Sequence, residues 1–188
     1  LTPVWNYENC IGYPNSRESA VMEKGLKPFG IEVIERMGEL GMMIDVSHAS
    51  DGTFWDILEY AKGPVTATHS NCRTLCDHPR NLSDEMMRAL AEKGGIMGLN
   101  FYGPFLNPDG ETRISYMADH LAHMVNVGGS EFAAIGTDFD GFYGVEILEI
   151  KKVEEMERLW EALKVNGFTE SQIDRIAYGN VKRVLQAL

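Results

Sequence analysis

Two histidines close apolar runs in this chain. His48 ends Met42-Met43-Ile44-Asp45-Val46-Ser47-His48, and His69 ends Pro64-Val65-Thr66-Ala67-Thr68-His69. A third run, Ala133-Ala134-Ile135-Gly136-Thr137-Asp138, ends in a carboxylate. Short, continuously apolar runs of this kind read as buried parallel strands. The two histidines are one β-loop-α-β unit apart, so a parallel sheet brings them to neighbouring strand ends, within reach of one cation. Neutral imidazole is a good Zn²⁺ ligand. Asp138, at the end of a later strand, could bind a metal or pass a proton between a water and a leaving amine. Its blander reading is a turn cap, a role that Asp140 before Gly141 fits better. Ligand-type side chains at the C-terminal ends of successive strands are what a metal-dependent β/α-barrel hydrolase requires.

Other candidates are weaker. Arg80, in His78-Pro79-Arg80-Asn81 after the His69 strand, has the planar fork that clamps a carboxylate, although by itself it reads as a surface ion-pair residue. His120 and His123 share a helix face with Met117, Leu121 and Met124, so they read as flanking a buried stripe rather than as ligands. Cys10, Cys72 and Cys76 are an odd set without a metal-type C-x-x-C pair, and read as unpaired thiols. Gly94-Gly95 reads as a helix stop, and no nucleophile elbow, phosphate loop or dinucleotide fingerprint is present.

The elements that must position these groups follow from periodicity and punctuation. Residues 6–27 are polar and broken by Gly12, Pro14, Asn15 and Gly25, and read as a long loop. Helices are predicted over 28–40, 51–62, from Ser83 to Gly94, over 114–126, 151–164 and 170–187, the last opened by the capping-box pair Thr169 and Gln172. Strands are predicted near 42–48, 64–69, 96–101 and 132–138, and the opening Leu-Thr-Pro-Val-Trp reads as the tail of another. Strict alternation implies one α/β domain over 1–188 with a parallel sheet and right-handed crossovers. Four strands and a stub are about half of an eight-stranded barrel. The expectation is therefore that this chain supplies the C-terminal half, completed by residues upstream, by a complementing N-terminal half, or by a second copy in a homodimer.

Composition narrows the function. At 188 residues, with 44% hydrophobic and 24% charged residues, the chain can bury a real core. Its net charge of −11 argues against nucleic acid as a partner. No apolar stretch approaches the roughly 18–20 residues that span a bilayer, and no signal peptide is visible; the expected location is the cytoplasm.

These motifs resemble the membrane (renal) dipeptidase family, peptidase family M19. The matching stretches are Gly30 to His48 with Asp45-Val46-Ser47-His48; Thr68-His69-Ser70; Cys76-Asp77-His78-Pro79-Arg80-Asn81-Leu82; Ala91 to Phe101; Ile135 to Gly141; and Gly179-Asn180-Val181 with Val184. Trp5-Asn6-Tyr7-Glu8-Asn9 is similar to a loop of bacterial members. The resemblance implies a zinc-dependent dipeptidase on a (β/α)₈ TIM-type barrel, with two zinc ions and a metal-activated water that attacks the peptide carbonyl. It further implies that His48 and His69 hold the second zinc, that Arg80 binds the substrate's C-terminal carboxylate, and that Asp138 handles the proton and the substrate amine. The family's His-x-Asp motif and its bridging glutamate have no counterpart here, so the chain alone is expected to be inactive. Trp5 stands where a substrate-binding histidine is expected. Two alternatives differ in kind: a catalytically incomplete half-barrel acting as an interaction module, and a related amidohydrolase that cleaves another amide.

Overall fold

The computed structural model describes residues 1–188, the side chain of Glu146 excepted. Its centre is a four-stranded, all-parallel sheet of β1 (Ile44–Asp45), β2 (Val65–Ala67), β3 (Ile96–Leu99) and β4 (Ala133–Ile135), ordered as in the sequence. The register pairs Ile44 with Val65, Thr66 with Ile96, and Met97 with Ala133. The helices between the strands are α2 (Pro28–Glu39) before β1, α3 (Asp51–Tyr60), α4 (Asp84–Glu92) and α6 (Ile114–Gly128); a single turn, α5 (Gly103–Leu106), precedes α6. After β4 come α7 (Glu157–Val165), α8 (Glu170–Asp174), a π-helical turn Arg175–Gly179 and α9 (Asn180–Gln186). A further short helix, α1 (Ser19–Met22), lies in the opening loop. No helix among the described residues is long and apolar enough to cross a membrane.

Local chemistry sets the boundaries. Pro28 starts α2, where its missing N–H costs nothing. Ser50 and Ser83 cap α3 and α4 by accepting the N–H of Thr53 and Met86, and Asp84 and Glu85 add charge at the positive end of α4. Gly41 and Gly94 take positive φ (63° and 76°) just past α2 and α4, so the chain turns into β1 and β3.

Alternation along the strands divides the sheet into two faces. Ile44, Val46, Val65, Ala67, Met97, Leu99 and Ala133 pack with Phe54, Ile57, Leu90, Leu121 and Met124 from the helices. Burying each of the Val, Leu, Ile, Met and Phe side chains among them contributes about 1.5–3 kcal/mol. On the other face Ile96 and Ala134 pack with Val184 of α9. Arg183 donates to the carbonyls of Gly94, Gly95 and Glu131, and Asn180 to those of Ser130 and Ala133. The last helix thus closes the end of the sheet where β3 and β4 begin, leaving the opposite rim open for side chains.

The structure adjusts several sequence expectations. The strands are shorter than 42–48, 64–69, 96–101 and 132–138, but backbone bonds carry the ladder beyond them: Val46 N to Thr66 O at 2.8 Å, Ser70 N to Gly98 O at 2.8 Å, and Gly136 N to Leu99 O at 3.1 Å. His48 and His69 therefore sit in turns just past the strands rather than on their last residues. The predicted helix over 151–164 begins as a 3₁₀ turn, Val153–Glu155, and becomes α-helical only at Glu157. The predicted helix over 170–187 carries the π turn. The N-terminal stub behaves as expected, since Leu1 donates to Met43 O and accepts from Asp45 N along the outer edge of β1.

Candidate active site

The carbonyl of Thr68 shows how tightly the sheet curls at this rim. A Cβ on Gly136 would lie 1.8 Å from that oxygen, and one on Gly98 would lie 2.1 Å away. Only glycine permits this approach. The turns after β1 and β2 are thereby drawn together, and the two imidazoles meet. Nε2 of His48 and Nε2 of His69 face each other at 3.0 Å, with ring centroids 5.1 Å apart.

Each ring is held from behind. Nδ1 of His48 lies 2.9 Å from Oδ1 of Asn6, and Nδ1 of His69 lies 2.7 Å from the Thr68 hydroxyl. Beneath them, the buried Asp45 carboxylate accepts from Ser47 N and Oγ, from Thr68 N and from the Thr2 hydroxyl. Burial raises the Asp45 pKa, but the hydrogen bonds from Ser47, Thr68 and Thr2, with the nearby His69, hold it below the usual carboxylate value. Ser47 Oγ in turn accepts the backbone N–H of His69 at 3.0 Å. Burial, assisted by the charge of Arg80, pushes His48 down to about 3. Burial lowers His69 as well, with Arg80 in support and Asp45 and Asp138 opposing. Both imidazoles are therefore neutral near pH 7, the form that binds a metal.

Arg80 is 6% exposed and has no carboxylate partner among the described residues. Its Nη2 reaches only the His69 carbonyl, at 3.4 Å, and its Nη1 has no hydrogen-bond partner. The guanidinium lies 5.2 Å over the Phe105 ring. Burial lowers its pKa to about 10, against the raising influence of Asp45 and Asp138. Reading Arg80 alone as a surface ion pair is thus corrected: the loop folds the side chain inward, and the 2.8 Å bond from Arg73 Nε to Asn81 O, with the bidentate Arg73–Asp51 pair, pins that loop. A buried guanidinium with an unpartnered Nη1 has the charge and planar geometry that suit a carboxylate.

Asp138 has a φ of 60°, the one left-handed non-glycine backbone among the described residues. Its Oδ2 accepts from Asn100 Nδ2 at 3.1 Å. It follows the C-terminal end of β4, and in an all-parallel sheet that is the end where His48 and His69 follow β1 and β2. Trp5, 61% exposed, stands beside His48 with ring centroids 6.2 Å apart. The sequence candidates His48, His69, Arg80, Asp138 and Trp5 are therefore gathered at one end of the sheet. His120 is elsewhere and fully used: its Nδ1 accepts the Cys72 N–H and its Nε2 bonds to Leu106 O. His123 pairs with Asp84 at 2.8 Å.

Sequence reasoning passed over Asn6, Ser47, Thr68 and Asn100. The signal for two of them was present, since Asp45-Val46-Ser47 and Thr66-Ala67-Thr68 alternate polar and apolar residues within runs read as wholly apolar strands.

The donor set suits a divalent ion, for two neutral imidazole nitrogens converge above an ionised, hydrogen-bonded carboxylate. The pair does not form a complete site, because among the described residues no group of three His, Cys, Asp or Glu side chains is arranged to hold a metal.

A family model described as membrane dipeptidase, peptidase family M19, matches residues 1–188. The chain is 35% identical over 99% of its length to an uncharacterized protein in the pqqA 5′ region of Klebsiella pneumoniae, of which it covers 70%. It is 37% identical over 86% of its length to an uncharacterized dipeptidase of Schizosaccharomyces pombe, of which it covers 39%. The whole chain superposes on a metallopeptidase from Rhodobacter sphaeroides liganded with a phosphinate mimic of the dipeptide L-Ala-D-Ala. The TM-score is 0.89 at 28% identity, and the chain spans 55% of that protein.

Proposed function

The chain belongs to the membrane dipeptidase family, peptidase family M19, and from that premise we propose that it carries part of the active site of a zinc-dependent dipeptidase. The observation that carries this reading is the 3.0 Å approach of the His48 and His69 Nε2 atoms, with Arg80 bonded to the His69 carbonyl and Asp138 following β4 at the same end of the parallel sheet. His48 and His69 would hold one zinc ion, with its remaining ligands supplied from outside the described residues. Bound zinc supplies a water of lowered pKa and a Lewis acid for the peptide carbonyl.

The chain's own residues do the rest. Arg80 offers its unpaired guanidinium edge to the substrate's terminal carboxylate, an interaction strengthened by burial. This fixes the scissile bond relative to the imidazole pair and replaces free encounter with a held geometry. Asp138, held at one oxygen by Asn100, keeps the other for the substrate's ammonium group and for the proton that the leaving amine takes up. Trp5 forms an exposed wall beside His48 and limits what side chain enters.

The proposal is tested by zinc content and dipeptide binding. The purified chain is expected to take up zinc at one site, weakly, and His48→Ala and His69→Ala each to abolish that uptake. Unchanged stoichiometry in either variant would remove the ligand role. Dipeptides are expected to bind more tightly than N-acyl amino acids; the reverse order would favour an amidohydrolase acting on a different amide.

A further inference from the structure

Asn81 follows Arg80 directly in the chain and is completely buried. Its Nδ2 donates to Cys76 O and to Phe105 O, each at 2.9 Å, so both amide hydrogens are used and the orientation of the amide is fixed. The first bond ties the loop that carries Arg80 to itself. The second crosses to α5, the single turn after β3. A helix of one turn does not hold itself together, and its last carbonyls have no partner within it. Here side chains from elsewhere meet them. Pro104 O accepts from the Cys76 thiol at 3.3 Å, Phe105 O accepts from Asn81, and Leu106 O lies 2.9 Å from His120 Nε2. Cys76 and Asn81 both belong to the Arg80 loop.

The Phe105 ring held in this way lies 5.2 Å from the Arg80 guanidinium. His78 and Tyr102 brace the ring, with centroids 4.6 Å and 4.9 Å from its own. Little else directs Arg80. Its Nη2 reaches the His69 carbonyl only at 3.4 Å, and its Nη1 has no hydrogen-bond partner among the described residues. A long side chain bonded so weakly keeps its direction only while the aromatic surface against it stays in place. We propose that Asn81 is a positioning residue for carboxylate recognition: by tying the Arg80 loop to α5 it keeps the Phe105 ring against the guanidinium and so aims the unpartnered Nη1 at a substrate carboxylate. This role rests on the reading of Arg80 as the residue that binds that carboxylate.

Calorimetric titration of the full chain with dipeptides and with their C-terminally amidated analogues tests the role, in wild type, Asn81→Ala, Arg80→Met and the double variant. Asn81→Ala is expected to weaken dipeptide binding about tenfold, a size usual for coupling between neighbouring residues, and to leave the amidated analogues unchanged. In the Arg80→Met background the same substitution should weaken neither ligand set further. Phe105→Leu keeps the carbonyl that Asn81 binds and removes the ring. It should show the same selective loss, and it carries the test should Asn81→Ala not fold. An equal loss on both ligand sets in either variant, or an undiminished loss from Asn81→Ala in the Arg80→Met background, overturns the proposal and leaves Asn81 a support of the fold alone. Selectivity lost in Arg80→Met but kept in Asn81→Ala and Phe105→Leu removes the positioning role and leaves the Arg80 reading intact. An Arg80→Met variant that does not separate dipeptides from amides removes the Arg80 reading, and the positioning role falls with it.

Discussion

Asn100 donates from Nδ2 to Oδ2 of Asp138 at 3.1 Å while its Oδ1 accepts the Tyr102 N–H at 2.7 Å. The amide orientation is therefore fixed, and its NH₂ group must face the carboxylate. Asn100 is completely buried, and its backbone is paired on both sides to the Asn71 amide. Asn100→Ala is expected to cost about 1–3 kcal/mol, because it strands the Tyr102 N–H and removes the donor to Asp138. Asn100→Asp places two carboxylates against each other, so its loss relative to wild type should be greater at pH 8 than at pH 5. Urea unfolding at the two pH values measures both; equal losses would mean that the two side chains do not interact.

Arg80 is buried without an ion pair among the described residues, which costs stability rather than adding it. Arg80→Met keeps the volume and the packing on Phe105 and removes the buried charge. Its stability is expected to equal or exceed that of wild type. Affinity for dipeptides should fall at least about tenfold, as expected when a charge-assisted hydrogen bond is lost, while affinity for C-terminally amidated analogues stays unchanged. Calorimetric titration of the two ligand sets decides it, and equal losses on both would show that Arg80 does not read the carboxylate.

Acid should weaken the fold before its carboxylates titrate. Burial lowers His120 to about 4, and it also lowers His48, His69 and His78. A histidine whose folded pKa lies below its unfolded value near 6.5 leaves the unfolded state binding more protons between the two values. Stability is therefore complete above about pH 6.5 and lost as pH falls towards 4. For the fully buried His120 the slope approaches about 1.4 kcal/mol per pH unit; the half-exposed His78 contributes less because solvent screens it. Urea midpoints between pH 7 and pH 4.5 should decline steadily. A flat profile would contradict neutral burial of these rings.

Gly136→Ala is expected to destabilise by about 1–3 kcal/mol, since its Cβ would meet the Thr68 carbonyl and a backbone atom cannot step aside. The same change should loosen the histidine pair, because Thr68 neighbours His69. Gly63→Ala, with no atom within 4 Å of its added Cβ, serves as the control and should be near neutral. Thermal unfolding of both variants makes the comparison; equal shifts would mean that the rim is not tightly packed at Gly136.

The order of helices and strands was legible in the amino-acid pattern because the cues are local. Ser50, Ser83 and Thr169 cap, Pro28 starts, and Gly41 and Gly94 stop, each through bonds within a few residues of itself. Parallel pairing followed from alternation, and it brought His48 and His69 to one rim. The exact contact did not follow. Whether two imidazoles one β-α unit apart touch or merely share an end depends on strand curl, set here by Gly98 and Gly136 against the Thr68 carbonyl. The burial of Arg80, the left-handed backbone of Asp138 and the ring partners Asn6 and Thr68 were likewise decided by tertiary contacts. Asn6 and His48 are 42 residues apart, and no sequence period encodes a hydrogen bond at that separation. Pattern determines which face is apolar; only the closed fold determines which polar atoms meet beneath it, since those few must satisfy one another once water is excluded.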